Sequence, residues 1–185
     1  MEGFDALRAA LESAGVRFAI GGSWAGTAFG EPRSTNDIDV LADVHPANLD
    51  RFLAALPPDF YADPDYAREA LRLGRPFNLI YMPAALKFDI FPARAFPIGL
   101  DEIERAIPLP GSGLSDSPVP FVTAEDILLA KLHWFQAGGS VSEVQWRDVQ
   151  AILRTRAADL DRSYLRQAAA KLGVSALLER LLAGG

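Results

Sequence analysis

Residues 16–42 read VRFAIGGSWAGTAFGEPRSTNDIDVLA. Val16 to Ile20 is a β-prone run that ends in Gly21-Gly22, Ser23 to Phe29 reads as a helix closed by Gly30, and Pro32 to Asn36 is loop. Asp37 to Ala42 then alternates acid, Ile, acid, Val, which is the two-residue period of a strand. Side chains at i and i+2 of a strand share a face, roughly 7 Å apart. Asp37 and Asp39 therefore project together while Ile38 and Val40 enter a core. Two like charges side by side raise each other's pKa, and a cation relieves them. Carboxylate and phosphate oxygens are the hard ligands that Mg²⁺ prefers. The same acid pair also suits a solvated strand face, or a cap beside the Asn36 turn. Gly21-Gly22-Ser23 lets the backbone approach a ligand closely, and the helix start behind it offers free N–H groups to a phosphate. Gly-Gly between a strand and a helix also serves as a plain turn.

Outward from this stretch, Phe4, Leu7, Leu11 and Ala14 repeat at helical spacing before Gly15. Downstream, a helix starts near Pro46 and stops at Pro57-Pro58, and Asp63-Pro64-Asp65 opens another that Gly74 closes. Phe77 to Met82 and Leu86 to Phe91 read as a hairpin. Asp89 lies in its second strand, within Leu-Lys-Phe-Asp-Ile-Phe. An acid in such apolar company is costly unless it faces water or meets a partner. Beside the strand of Asp39 it would add a third carboxylate, and two metal ions roughly 4 Å apart could be bridged. Residues 92–122 are rich in Pro, Gly and Ser, with one strand expected near Ile107. Thr123 caps a helix with Asp126 at the third position, and Leu128, Leu129, Leu132 and Phe135 supply its buried face. Ala137-Gly138-Gly139 breaks it, and Ser142, Asp161 and Ser175 read as N-caps of three more helices. The expected class is α+β: residues 1–121 form a mixed-sheet core and residues 122–185 a helical segment packed on it.

Composition narrows the function. The 185 residues carry a formal net charge of −6, without a long run of either sign, so broad capture of nucleic acid is not implied. The chain has no cysteine, which excludes disulfides and Cys-based zinc sites. Its start, MEGFDALRAALESAG, reads as an amphipathic helix carrying acids rather than a signal peptide. No apolar run reaches the roughly 20 residues of a membrane span, so a cytoplasmic protein with no membrane partner is expected.

The combination Ile20-Gly21-Gly22-Ser23, Asp37-Ile38-Asp39-Val40 and Phe88-Asp89-Ile90 resembles the DNA polymerase β-type nucleotidyltransferase superfamily. Gly21 to Val40, with Arg33-Ser34-Thr35-Asn36 before the acids, looks most like its small bacterial members, including the abortive-infection AbiEii-type toxins. Thr123 to Leu153 is similar too, with Lys131 in mid-helix and Arg147-Asp148 on the next. The resemblance implies a mixed sheet with helices on one side, and Mg²⁺-dependent transfer of a nucleoside monophosphate from a nucleoside triphosphate to an acceptor hydroxyl. Mn²⁺ would serve in place of Mg²⁺. Asp37, Asp39 and Asp89 would hold the metal and carry catalysis, with Asp89 as general base. Gly21, Gly22, Ser23, Arg33 and Lys131 would bind the triphosphate. The acceptor stays open between an RNA 3′ end, a protein and a small molecule, and an antitoxin protein is a possible partner. Two other readings stand beside this one: an aminoglycoside- or lincosamide-type adenylyltransferase, and a non-catalytic nucleotide-binding regulator.

Other residues have plainer readings. Arg33 suits a triphosphate but also an ion pair with Glu31 or Asp37, and Thr35 suits ordering of its own loop. Lys131 beside an apolar stripe suits snorkelling as well as phosphate. Arg147 and Asp148 suit an ion pair, which could hold Lys131 in place. Trp134, Phe135 and Trp146 are expected in the core. With two histidines, His45 and His133, a His-based metal centre is not expected.

Overall fold

The computed structural model describes residues 1–29, 37–110, 113–140 and 143–183. Along the chain run α1 (Glu2–Ser13), β1 (Phe18–Ile20), α2 (Gly22–Phe29), β2 (Asp37–Ala42), α3 (Pro46–Ala55), β3 (Phe60–Tyr61) and α4 (Pro64–Arg72). There follow β4 (Phe77–Tyr81), β5 (Leu86–Pro92), α5 (Gly99–Arg105), β6 (Ile107–Leu109) and β7 (Val119–Phe121). The chain continues through α6 (Ala124–Ala137), α7 (Glu143–Arg156), α8 (Arg162–Leu172) and α9 (Ser175–Ala183).

The strands form one mixed sheet in the order β3-β4-β5-β2-β1-β7-β6. β2 runs parallel to β5 and β1 parallel to β7, and the other pairs are antiparallel. Alternation in β2, β4 and β5 sends Ile38, Val40, Phe77, Leu79, Phe88 and Ile90 to one face, where each is 0–1% exposed. They join Phe4, Leu7 and Leu11 of α1 and Leu49 and Phe52 of α3 in one continuous core. Burial of each such large side chain is worth about 1.5–3 kcal/mol. α1 crosses the sheet closely: a Cβ on Gly3 would lie 2.6 Å from the Tyr81 ring. The opposite face of β2 and β5 carries the acids.

The helical end belongs to the same core, through Leu128, Leu129, Leu132, Leu165 and Leu178. Val122 N–H donates to the Ile20 carbonyl at 3.0 Å, and Thr155 Oγ1 donates to the Phe29 carbonyl at 2.9 Å. The Thr123 cap forms as expected, with Thr123 Oγ1 donating to Asp126 Oδ2 at 2.8 Å. Ser175, expected as an N-cap, is instead the first residue of α9, and Asp161 caps α8 by accepting from Tyr164 N–H at 2.9 Å. Ser142 lies outside the described residues.

A buried polar cluster ties α5, α6 and α8 together. Tyr164 Oη donates to Asp126 Oδ1 at 2.5 Å, and the Arg105 guanidinium stacks 3.6 Å over the Tyr164 ring. Glu102, 5% exposed, has an Oε1 with no partner among the described residues. Burial first, then Asp126 and Asp101, push its carboxyl well above the usual range. A raised acid binds its proton more tightly in the folded state, so stability is lost as pH rises from the unfolded value through the folded one. Glu102→Gln, which copies the neutral form, should therefore melt higher than wild type at pH 8 and equally near pH 4. An equal difference at both pH values would show that the carboxyl is not carrying this penalty.

Candidate functional site

The register between β2 and β5 builds the site. Asp39 lies directly opposite Asp89, and Asp37 opposite Lys87. Parallel neighbours in register share a face, so the three carboxylates and Lys87 stand together on the side away from the Ile38–Phe88 core. β1 then delivers the glycine turn: Gly21 N–H donates to the Asp39 carbonyl at 2.9 Å. Gly22 takes a left-handed conformation, φ +55°, and a Cβ there would fall 1.7 Å from Asp39 Oδ2 and 2.5 Å from its Cγ. Only glycine fits between the start of α2 and the acid. Ser23 N–H donates to the Asp39 carboxylate, so the carboxylate caps α2.

Burial is the largest effect on Asp39 and, with the charges of Asp89 and then Asp37, raises its pKa to about 6. The Ser23 N–H and Lys87 pull the other way and do not offset it. Lys87, which sequence reasoning did not single out, bridges the cluster. Its Nζ donates to Asp89 Oδ2 at 2.8 Å and to Asp37 Oδ2 at 3.3 Å. These carboxylates, Asp89 first, raise the ammonium's pKa further. Asp37 has an interaction beyond these as well. The signal for Lys87 was present, since it stands two residues before Asp89 and so on the same strand face.

As they stand, no three acidic, imidazole or thiol groups among the described residues are arranged to enclose a metal ion. The donor chemistry still fits a divalent cation. Asp39 is a carboxylate poorly compensated by its surroundings, and it faces Asp89 across the strand pair. The oxygens are of the hard type Mg²⁺ takes, and an incoming cation would compete with the Lys87 ammonium for Asp37 and Asp89.

Lys131 reaches the same end of the molecule from α6. Its Nζ donates to Asp148 Oδ2 at 2.6 Å, and its Cε is 3.9 Å from the position of a Cβ on Gly26 in α2. The ion pair on α7 is thus Lys131 with Asp148, while Arg147 is exposed and lines a different cleft. That open cleft, about 360 Å³, lies between α6, α7 and α9, with Phe135, Trp146, Arg147 and Arg180 on its walls and none of the site acids. Trp134 is 52% exposed rather than core, because it points off the stripe formed by Leu128, Leu132 and Phe135. His133 packs on Phe96 at 5.3 Å, and His45 precedes α3 with its N–H donating to Asn48 Oδ1 at 2.8 Å. Arg33 and Thr35 lie outside the described residues.

The sequence matches no protein-family model and no curated protein. Solved structures do resemble this chain. An antigenic nucleotidyltransferase-like protein from Paracoccidioides brasiliensis superposes with a TM-score of 0.53 at 16% identity, over 94% of this chain and 91% of that one. The antibiotic-resistance factor ANT(2'')-Ia, studied in solution for its substrate-regulated conformation dynamics, gives 0.50 at 16% identity, over 97% and 91%. The chain therefore has the nucleotidyltransferase fold. Among the described residues no helix is long and apolar enough to cross a membrane.

Proposed function

We propose that the protein is a divalent-metal-dependent nucleotidyltransferase that moves a nucleoside monophosphate from a nucleoside triphosphate to an acceptor hydroxyl. The observation that carries this is the placement of Asp39 opposite Asp89, against the Gly22-Ser23 start of α2, in a chain with this fold. The triphosphate lies along the start of α2, at the positive end of the helix dipole, with the Ser23 N–H already held by Asp39. Lys131, steadied by Asp148, balances charge on the departing pyrophosphate. Asp37 and Asp39, with Asp89, would hold Mg²⁺. Bound there, the ion would polarise the phosphates and favour the ionised acceptor. Asp89 takes the acceptor's proton at its carboxylate. The acceptor oxygen then bonds to the α-phosphorus as the bond to the β-phosphate oxygen breaks, leaving pyrophosphate.

Thermal melting with each triphosphate, with and without Mg²⁺, tests this. A rise in Tm that needs both components is the expected result, and no rise with any triphosphate would reject the reading. Lys131→Met should weaken triphosphate binding about tenfold, the equivalent of about 1.4 kcal/mol, with a smaller salt dependence. Unchanged affinity at low salt would remove Lys131 from the site.

The acceptor class is a second question. Likeness to an antibiotic-resistance factor favours a small-molecule hydroxyl, and so an adenylyltransferase. The acidic balance agrees, since it disfavours long RNA. Incubation with labelled triphosphate and either aminoglycosides or cell extract separates this from a protein or RNA acceptor. Label on a macromolecule would instead support the AbiEii-type toxin reading, with an antitoxin as partner. Binding without transfer to any acceptor would support a non-catalytic regulator.

A further inference from the structure

We propose that Lys87 is the site's built-in counter-cation, so that the carboxylate cluster takes one divalent ion and the ammonium stands where a second would sit. The proposal rests on the metal-dependent reading above. Lys87 Nζ joins acids from two strands, Asp89 at 2.8 Å and Asp37 at 3.3 Å. A second cation bridging Asp37 and Asp89 would need the same two carboxylates. An ammonium and a divalent ion repel, so both cannot occupy that position. Asp39 is left out of the ammonium's hydrogen bonds. It is capped by the Ser23 N–H and faces the start of α2, where a triphosphate would bring its own metal ion.

The placement of Lys87 is set by the fold. It pairs with Asp37 across β2–β5 and with Ile80 across β4–β5, and its side chain is 35% exposed. Two carboxylates hold the ammonium by charge-assisted bonds. In the metal-free protein it therefore relieves the repulsion among the acids that a metal would otherwise have to relieve.

The test counts metal ions. Mn²⁺ is titrated into the full chain with a non-hydrolysable triphosphate analogue, followed by electron paramagnetic resonance and by calorimetry. Wild type should bind one Mn²⁺ per chain and show no coupled two-manganese signal. Lys87→Met should bind two, with the coupled signal present, and its Tm without metal should be lower than that of wild type. Lys87→Arg, which keeps the charge, should restore one. Two ions in wild type, or one in both wild type and Lys87→Met, would overturn the role of Lys87 while leaving the proposed activity standing. No Mn²⁺ bound by any of the proteins would overturn both. If Lys87→Met fails to fold, Lys87→Gln is measured in its place by the same criterion.

Discussion

Gly22→Ala should destabilise the protein by about 2–5 kcal/mol and abolish metal–triphosphate binding. The left-handed conformation at φ +55° costs a residue with a Cβ about 1–2 kcal/mol. The remainder is steric, because the added methyl meets Asp39 at Oδ2, Cγ and Cβ, at 1.7, 2.5 and 2.9 Å. Rotating the carboxylate clears its oxygen but not its Cβ, so β2 or the start of α2 must shift. Overpacking of that kind costs about 1–3 kcal/mol. Gly21→Ala is the control, since a Cβ at Gly21 meets nothing within 4 Å and its φ is not left-handed. It should fold with stability within about 1 kcal/mol of wild type. Denaturant midpoints of the three proteins decide the matter. Equal loss from both alanines would mean that the turn as a whole is sensitive, and that the Gly22–Asp39 approach is not the cause.

Asp39→Asn should abolish nucleotidyl transfer and yet stabilise the metal-free protein at neutral pH. The pKa of about 6 lies roughly two units above the ordinary 3.8, and each unit corresponds to ~1.4 kcal/mol. Part of that is offset by the weaker hydrogen bond that an amide oxygen accepts from Ser23, so a gain of about 2 kcal/mol is expected. The sign follows from linkage. The folded state binds the Asp39 proton more tightly, so the penalty is absent below pH about 4, grows between about 4 and 6, and is constant above. The advantage of the variant should therefore shrink as pH falls through that window. With Mg²⁺ and triphosphate the order reverses: ligand should raise the Tm of wild type and leave Asp39→Asn unmoved. An equal ligand-induced rise in both proteins would place the site elsewhere. A variant less stable than wild type at pH 8 would show that Asp39 acts chiefly as the cap of α2.

Much of the architecture is legible locally. β2 matches its expected span, because acid-Ile-acid-Val admits one register of faces. The β4–β5 hairpin and the Thr123–Asp126 cap follow from equally local patterns. The stretch 92–122 is harder to read. α5 has seven residues and opens on Gly99, where a Cβ would lie 2.3 Å from the Ala93 carbonyl oxygen, so its glycine looks like a breaker and is a packing requirement. β7 is Val-Pro-Phe, and proline argues against an inner strand, yet β7 lies between β1 and β6. It is tolerated because Pro120 sits opposite Pro108 on β6, and β7 is in register with β1 at the one residue pair Ile20–Phe121, which leaves Pro120 outside that pairing. The two-residue β3 is too short to leave a period.

The candidate site divides in the same way. Alternation by itself determines that Asp37 and Asp39 share a face, that Lys87 and Asp89 share a face, and that Ile38, Val40, Phe88 and Ile90 turn inward. The tertiary structure decides which residues meet. Asp39 faces Asp89 and Lys87 reaches Asp37 because β2 and β5 adopt one register, whereas Gly22 must be glycine and Lys131 pairs with Asp148 because α2 packs on β2 and α6 on α7. The period of a strand tells which side each residue takes, but the offset between two strands some fifty residues apart is selected by core packing and hydrogen bonding together, and neither strand carries it alone.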